Sequence, residues 1–486
     1  MSSTPFPYNG TIPTGGDSLN EDLNQWYAKG DIAWLMTSAA LVLLMIPGVG
    51  FFYSGLARRK SALSLIWLSL MSIGVASFQW FFWGYSLAFS HTATSPFIGD
   101  LTNIGLKDVL AAASVGSSGV PDILFCLYQG MFAAITPALA IGAAVDRGRM
   151  LPAMVFVFVW ATIVYDPIAF WSWNPAGWLF KLGSLDYAGG SPVHISSGAA
   201  ALAYSLMLGK RRGYSDTAGL PFRPHNVTHV VLGTVFLWVG WFGFNGGSAL
   251  GANLRAVMSL IVTNIAACVG GLTWCLLDYR LERKWSTIGF CSGVIAGLVA
   301  ITPAAGYVPA WSAVIFGVVG GAACNFATKI KFLIGVDDAL DIFAEHCVGG
   351  IVGNLLTALF AADYIAHLDG ALKIPGGWLN GNYIQLAYQL ADCVACFSYA
   401  FGMTCIILFI MNLIPGLSLR VTAEEEEAGL DEAEIGEFGF DYVEITRNVG
   451  DLVHTPEQPL SSQGSVKGPV THESVKGPAT EATKAQ

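Results

Sequence analysis

The sequence predicts an all-α polytopic membrane protein with eleven transmembrane helices. Of the 486 residues, 54% are hydrophobic and only 12% are charged, and the mean hydropathy is +0.56. These values are typical of membrane proteins with several spans rather than of soluble domains. Eleven hydrophobic runs also have about the 20 residues that a helix needs to cross a bilayer.

The predicted spans follow one another through residues 31–415, which form the expected transport domain. They are 31–56, 62–89, 121–145, 150–171, 190–208, 228–249, 256–279, 286–302, 309–328, 341–362 and 385–414. The N-terminal segment 1–30 is polar and lacks the basic region and cleavage pattern of a signal peptide. The first run is therefore expected to remain as a true span.

Basic residues distinguish one side of the predicted bundle. They follow every odd-numbered span, whereas the even-numbered ends have almost none; they include Arg58, Arg59, Lys60, Arg147, Arg149, Lys210, Arg211, Arg212, Arg280, Lys329 and Arg420. The positive-inside rule then puts the N-terminus outside and the C-terminus in the cytoplasm. Asn9, in Asn9-Gly10-Thr11, would lie on the side where glycosylation occurs.

The eleven spans divide into two blocks of five and a final helix. The second block starts on the opposite side of the membrane from the first, which is the arrangement that an inverted repeat requires. No convincing sequence identity is visible between the halves. The repeat is therefore inferred from the order and orientation of the spans.

Two histidines lie within apolar spans, His194 in the fifth and His346 in the tenth. A charged group in the membrane costs about 2.5–3.5 kcal/mol on insertion scales, so such a residue marks a pathway or binding site by default. A single buried histidine can also simply join two helices by a hydrogen bond. In an inverted repeat, however, these two occupy equivalent positions and can meet near the midplane, which favours a functional pair.

The pattern argues against several function classes. The histidine pair has no third ligand at metal-type spacing, so neither a metal nor another cofactor is expected. No nucleophile elbow, acid pair or phosphate-binding loop is present, so the chain is not expected to be an enzyme. The acidic surplus lies in the C-terminal tail, and no nucleic-acid partner is expected. Neutral imidazoles can instead handle a small polar molecule or relay a proton.

The polar C-terminal tail is expected to have two parts. Residues 416–450 form a predicted cytosolic regulatory region, in which 429–438 have enough apolar side chains to dock on another surface. Residues 451–486 are rich in Ser, Thr, Pro, Gly and Lys and are predicted to be disordered. Ser465 and Ser474 lie in a repeated Ser-Val-Lys-Gly-Pro and are candidate sites for a kinase.

Several motifs in this order make the chain similar to the ammonium transporter family (Amt/Mep/Rh). They are Pro-Gly-Val-Gly-Phe-Phe-Tyr-Ser-Gly at 47–55 with the basic residues 58–60, the stretch 186–194 around the first histidine, Gly-Trp-Phe-Gly-Phe-Asn-Gly-Gly-Ser at 240–248, Ile-Thr-Pro-Ala-Ala-Gly at 301–306, and 337–346. The likeness covers about residues 30–440. It most resembles the twin-histidine type of the fungal methylammonium/ammonium permease branch.

This resemblance implies a homotrimer in the lipid of the plasma membrane, with one ammonium or methylammonium pore per subunit. The implied site residues are Trp173, Ser248 and Phe132 for recruitment, Phe132 and Phe244 for the gate, His194 and His346 for the pore, Asp186 and Trp241 as supporting residues, and Gly429, Asp431, Gly436 and Glu437 in the regulatory tail. A tryptophan face attracts cations. A serine oxygen can accept a hydrogen bond that ammonium offers and potassium does not.

The expected mechanism is loss of a proton from ammonium near the gate, followed by ammonia passage along the histidines with separate proton transfer. Uncharged ammonia flow is the competing mechanism, and an ammonium sensor that signals through its tail is the competing function. A third hypothesis is a conduit for another small neutral solute such as carbon dioxide or urea. Glu345 and Cys347 flank the second histidine where the family pattern differs, so packing there is expected to differ as well.

Overall fold

A computed structural model describes Ile12 and residues 14–214 and 222–440, and these residues form an all-helical bundle without β-strands. Eleven long helices coincide with the predicted hydrophobic runs. They are α1 Lys29–Leu56, α2 Arg59–Phe89, α3 Asp122–Ala144, α4 150–173, α5 190–208, α6 Val227–Gly247, α7 Leu254–Glu282, α8 Thr287–Ile301, α9 Ser312–Ala327, α10 Phe343–Phe360 and α11 Gln385–Leu413.

Nine helices among the described residues have the length and apolar composition needed to cross a membrane, with α9 counted through Ile334. The other two of the long set are α5 and α8. The first of these is rich in Ser and Ala, and the second has only 15 residues. Both are almost wholly buried among other helices. Protein surrounds them, so α5 need not reach the hydropathy of a lipid-facing span, whereas α8 is apolar but short.

Glycines allow the helices of this bundle to pack with their backbones close together. A Cβ on Gly233 of α6 would lie 2.4 Å from the backbone nitrogen of Phe52 on α1. A Cβ on Gly270 of α7 would lie 2.4 Å from the carbonyl oxygen of Gly293 on α8. In a membrane, such close packing supplies helix association that the hydrophobic effect does not.

Four of the long helices contain a wider, π-helical turn. These turns are Trp80–Gly84 in α2, Ala161–Tyr165 in α4, Gly190–Ile195 in α5 and Phe343–Val348 in α10. Insertions of this kind are rare and are frequent at functional sites. The last two contain His194 and His346, so both histidines lie on irregular helix turns.

Candidate functional site

His194 on α5 and His346 on α10 lie side by side in the interior of the bundle. Their Nδ1 atoms are 3.3 Å apart, their ring centroids are 5.4 Å apart, and the ring planes differ by 24°. The two residues are only 1% and 3% exposed. A hydrogen bond between the two Nδ1 atoms requires one ring to donate while the other accepts, which two neutral imidazoles can do.

The crossing of α5 and α10 is locally symmetric around this pair. Four residues after the first histidine, Gly198 faces Cys347, and a Cβ there would lie 2.4 Å from the Cys347 nitrogen. Four residues after the second, Gly350 faces the same turn of α5, and a Cβ would lie 2.9 Å from the Gly190 carbonyl oxygen and 3.0 Å from the Ile195 Cγ1. Each helix therefore places a glycine against the residue that follows the other helix's histidine, and Cys347 fits into this contact.

An aspartate lies eight residues before each histidine and binds the start of its helix. The Asp186 carboxylate accepts hydrogen bonds from the backbone nitrogens of 189–191 at 2.7–2.8 Å. Asp338 accepts one from the Phe343 nitrogen at 2.9 Å. Asp186, predicted as a supporting residue, thus organises the backbone at the start of α5. Asp338 was not among the predicted site residues, although its equal spacing from the histidine was readable in the sequence.

A column of aromatic rings leads from the histidine pair to one end of the bundle. Phe244 lies 5.9 Å from His194, centroid to centroid, and Phe132 lies 4.3 Å from Phe244. Trp241 stacks beside His194 at 5.5 Å, and its indole nitrogen donates to the Thr302 hydroxyl at 2.9 Å. The two phenylalanines therefore cover the histidines, and Trp241 is fixed against the first of them.

A vestibule of about 580 Å³ opens on the far side of the phenylalanines, and its walls include Phe132, Trp173, Asp186 and Ser248. The Trp173 ring lies 5.9 Å from Phe132, nearly perpendicular to it, and its indole nitrogen donates to the Asp186 carbonyl oxygen at 3.1 Å. These contacts bring the predicted recruitment and gate residues together at one mouth of the bundle.

The Ser248 hydroxyl is oriented by its neighbours. It donates to the Phe244 carbonyl oxygen at 2.8 Å, and the Tyr128 hydroxyl lies 3.2 Å from its oxygen. Because its own hydrogen is engaged, the serine oxygen presents lone pairs to the vestibule and can accept a hydrogen bond there. Tyr128 was not predicted as a site residue, since its partner lies 120 positions away in the chain.

A second, much smaller cavity lies at the histidines themselves. Its volume is about 10 Å³, close to the minimum for one water molecule. Most of its lining is apolar, and the polar exceptions are His194, His346, Trp241, Tyr53 and Glu345. The path is thus narrow and mostly apolar at its centre. Its ionisable side chains, which include His194, His346 and Glu345, lie together around this cavity.

The tail docks on the end of the bundle that carries the basic loops. The Asp431 carboxylate accepts hydrogen bonds from the nitrogens of Leu63 and Ser64 at 3.0 and 2.8 Å, in the first turns of α2. Gly429 has φ 112°, and a Cβ there would lie 2.5 Å from the Lys60 carbonyl oxygen. The negative charge of Asp431 suits the N-terminus of α2. Only glycine fits at position 429, because of its positive φ and its close contact with Lys60.

The remaining predicted tail and surface residues differ in their placement. Gly436 has φ 75° and follows the last residue of Asp431–Ile435, a one-turn π-helix in the tail. Glu437 is exposed, and its predicted regulatory role has no side-chain contact in the described residues to support it. Asn9, Ser465 and Ser474 lie outside the described residues.

Comparison with known proteins identifies the family. Residues 33–440 match the family model described as Ammonium Transporter Family. The chain belongs to this family. Schizosaccharomyces pombe ammonium transporter 1 is 63% identical over 433 residues, which cover 89% of this chain and 86% of that protein. Saccharomyces cerevisiae ammonium transporter MEP2 is 53% identical over 467 residues, covering 95% of this chain and 92% of its own.

A solved structure supports the same assignment. The crystal structure of Candida albicans Mep2 has a TM-score of 0.81 and is 53% identical, covering 85% of this chain and 90% of that one. The resemblance to fungal ammonium permeases is therefore confirmed. As a member of the ammonium transporter family, the chain is a membrane transport protein.

Proposed function

We propose that this transporter takes up ammonium across the plasma membrane by recruiting the cation in the vestibule and conducting ammonia past the two histidines. The observation that carries the proposal is the unbroken sequence of contacts from Trp173 through Phe132 and Phe244 to His194. Along this sequence the open volume falls from about 580 Å³ in the vestibule to about 10 Å³ at the histidines.

Recruitment rests on two complementary contacts. The indole of Trp173 offers a π-face to a cation, an interaction of about 0.5–2 kcal/mol depending on desolvation. The oriented oxygen of Ser248 accepts a hydrogen bond from an N–H donor. Potassium has no hydrogen to donate, so the serine favours ammonium and methylammonium over a cation of similar size.

In this proposal, ammonium loses its proton at the phenylalanines. The Phe132 and Phe244 rings are 4.3 Å apart and neither replaces the hydrogen bonds that an ion would give up with its water shell. Ammonia, which is neutral, avoids that cost. The proton that ammonium loses is taken up by His194, the imidazole next to Phe244, whose Nε2 atom has no hydrogen-bond partner among the described residues. It crosses the Nδ1–Nδ1 hydrogen bond to His346 while ammonia passes both imidazoles.

The finer architecture is part of the same proposal. All eleven long helices span the membrane, with the N-terminus and vestibule outside and the basic loops in the cytoplasm. The local symmetry of α5 and α10 supports an inverted repeat of five helices. Residues 31–415 are the transport domain of a homotrimer subunit, and 416–450 regulate opening from the cytoplasmic side.

The test is methylammonium uptake by cells that lack their own ammonium permeases. Trp173→Leu is expected to raise the half-saturation concentration about 2- to 30-fold, which corresponds to loss of a cation–π contact of about 0.5–2 kcal/mol. His194→Ala is expected to lower the maximal rate, because it removes half of the imidazole pair. Trp285→Leu, at a tryptophan that is 68% exposed, is the matched control.

Three results would contradict parts of this proposal. Unchanged half-saturation in Trp173→Leu would remove the recruitment site. Unchanged maximal uptake in His194→Ala would remove the imidazole route. Absence of uptake by the wild-type chain, at normal surface expression, would favour the competing function of an ammonium sensor that signals through its tail.

A further inference from the structure

Glu345 is a buried carboxyl group that the transport steps above do not use. It immediately precedes His346 on the π-helical turn of α10, is 3% exposed, and lines the same small cavity as both histidines. None of the ion pairs among residues 14–214 and 222–440 involves it. Lys331, the lysine that lies towards it, pairs with Asp341 at 2.7 Å instead.

Its position extends the path beyond the second histidine. The contacts run from Phe244 to His194 and from His194 to His346, and Glu345 comes next on the side where α10 begins. The segment just before α10 belongs to the basic end, where Asp337 binds Arg211. Glu345 therefore lies between the histidine pair and the proposed cytoplasmic face.

The groups around this carboxyl do not hold it permanently in the charged form. The Ser292 side chain on α8 faces it and can form a hydrogen bond. The titratable and charged groups that face it from the packed elements are Tyr53, Cys291, Cys324, Asp338, Asp341 and Lys331. A carboxyl group that is not held in an ion pair can take up a proton on one oxygen and release the proton of the other.

We propose that Glu345 is the proton carrier between the histidine pair and the cytoplasmic mouth; this inference rests on the proposed transport function. The Glu345 carboxyl group starts neutral, with its proton on the oxygen nearer the cytoplasmic mouth. An imidazolium at His346 gives its N–H proton to the other carboxyl oxygen as the first proton leaves to water. The imidazole is then neutral again, and rotation of the carboxyl group returns its proton to the cytoplasmic side. One proton enters and one leaves for each ammonia molecule conducted.

A purely structural role makes a different prediction. In that case the carboxyl group only joins α10 to α8 through Ser292, and an amide of the same shape preserves the hydrogen bond. Glu345→Gln keeps the shape but does not exchange a proton at neutral pH. Glu345→Asp keeps the proton chemistry with a side chain shorter by one methylene. The two variants therefore separate proton transfer from packing.

The experiment uses the full chain in proteoliposomes, with ammonium-evoked current and methylammonium uptake measured in H2O and D2O. Glu345→Gln is expected to lower the current at least tenfold while the half-saturation concentration stays within twofold of wild type. Glu345→Asp is expected to retain about a third to a tenth of the current, with a larger H2O/D2O current ratio than wild type. Glu282→Gln, the same change at an exposed position, is the control.

The other outcomes would overturn either the role of Glu345 or the proposed transport function. A Glu345→Gln current within twofold of wild type overturns the inference. If that variant does not fold, a Glu345→Asp chain whose current and H2O/D2O ratio match wild type overturns it equally. Wild-type uptake without current also overturns it and leaves ammonium transport intact, since ammonia then crosses uncharged. Neither uptake nor current in wild type overturns the proposed transport function instead.

Discussion

The single carboxylate of Asp186 satisfies three backbone nitrogens at the start of α5, the helix that carries His194. A hydrogen bond to a charged group contributes about 1.5–3 kcal/mol, more than one between neutral groups. The backbone carbonyl of the same residue holds Trp173. One residue thus positions both the recruitment ring and the first pore histidine.

Asp186→Asn is expected to destabilise the protein by about 1.5–3 kcal/mol, because an amide has one acceptor oxygen and no charge for these nitrogens. Maximal uptake should fall with it, since the start of α5 positions His194. Thermal unfolding in detergent and methylammonium uptake measure the two effects. Asp17→Asn, at an exposed aspartate, should change neither. A raised half-saturation concentration at unchanged stability would instead assign Asp186 to cation attraction.

The sequence predicted which residues belong to the site, but it did not predict several of their hydrogen-bond partners. The spacing of the two histidines and the family motifs predicted His194, His346, Trp173 and Ser248 as site residues. Tyr128 and Thr302 were missed, because their partners lie in other helices and no local pattern connects them. Glu345 was noted only as a departure from the family pattern, since its exposure to the pore depends on the π-helical turn of α10.

At the level of elements, the crossing of α5 and α10 is set by residues too small to produce a sequence signal. Gly198 and Gly350 permit the contact by lacking a side chain. Hydrophobic periodicity predicts that helices exist, but not which pairs of helices approach closely. The π-helical turns were equally unpredictable, because an inserted residue changes the helix phase without changing its composition.

The docking of the tail also depends on the start of a helix, because Asp431 binds the first turns of α2. Asp431→Asn removes the negative charge from the first turn of α2, an interaction of about 0.3–2 kcal/mol. We expect the tail of this variant to be cleaved faster in limited proteolysis and the maximal uptake rate to change. The neighbouring Glu432→Gln is the control, because Glu432 is exposed. Identical cleavage rates for both variants and wild type would exclude Asp431 as a docking residue.

For the whole molecule, a charged network joins loops that are far apart in the chain. Arg211, after α5, binds Asp146 between α3 and α4 at 2.9 Å and Asp337 between α9 and α10 at 2.8 Å. Arg58, after α1, binds Asp146 at 3.0 Å. The hydrophobic runs and the basic loops were predictable, whereas this pairing was not, because loop length does not determine which acidic residue each arginine reaches.

Arg211→Ala is expected to destabilise the protein by about 3–5 kcal/mol, because it leaves a buried carboxylate without its partner. Arg212→Ala is the control: its partner Glu427 is 65% exposed, and such pairs contribute about 0–1 kcal/mol. Burial raises the pKa of Asp337, but Arg211 lowers it further, below its usual range. The stabilisation is therefore fully present above about pH 3.9, the ordinary aspartate pKa, and is lost as the pH falls from there through the lower pKa of Asp337 in the folded protein. Equal unfolding temperatures for both variants at pH 7 would contradict this role for the network.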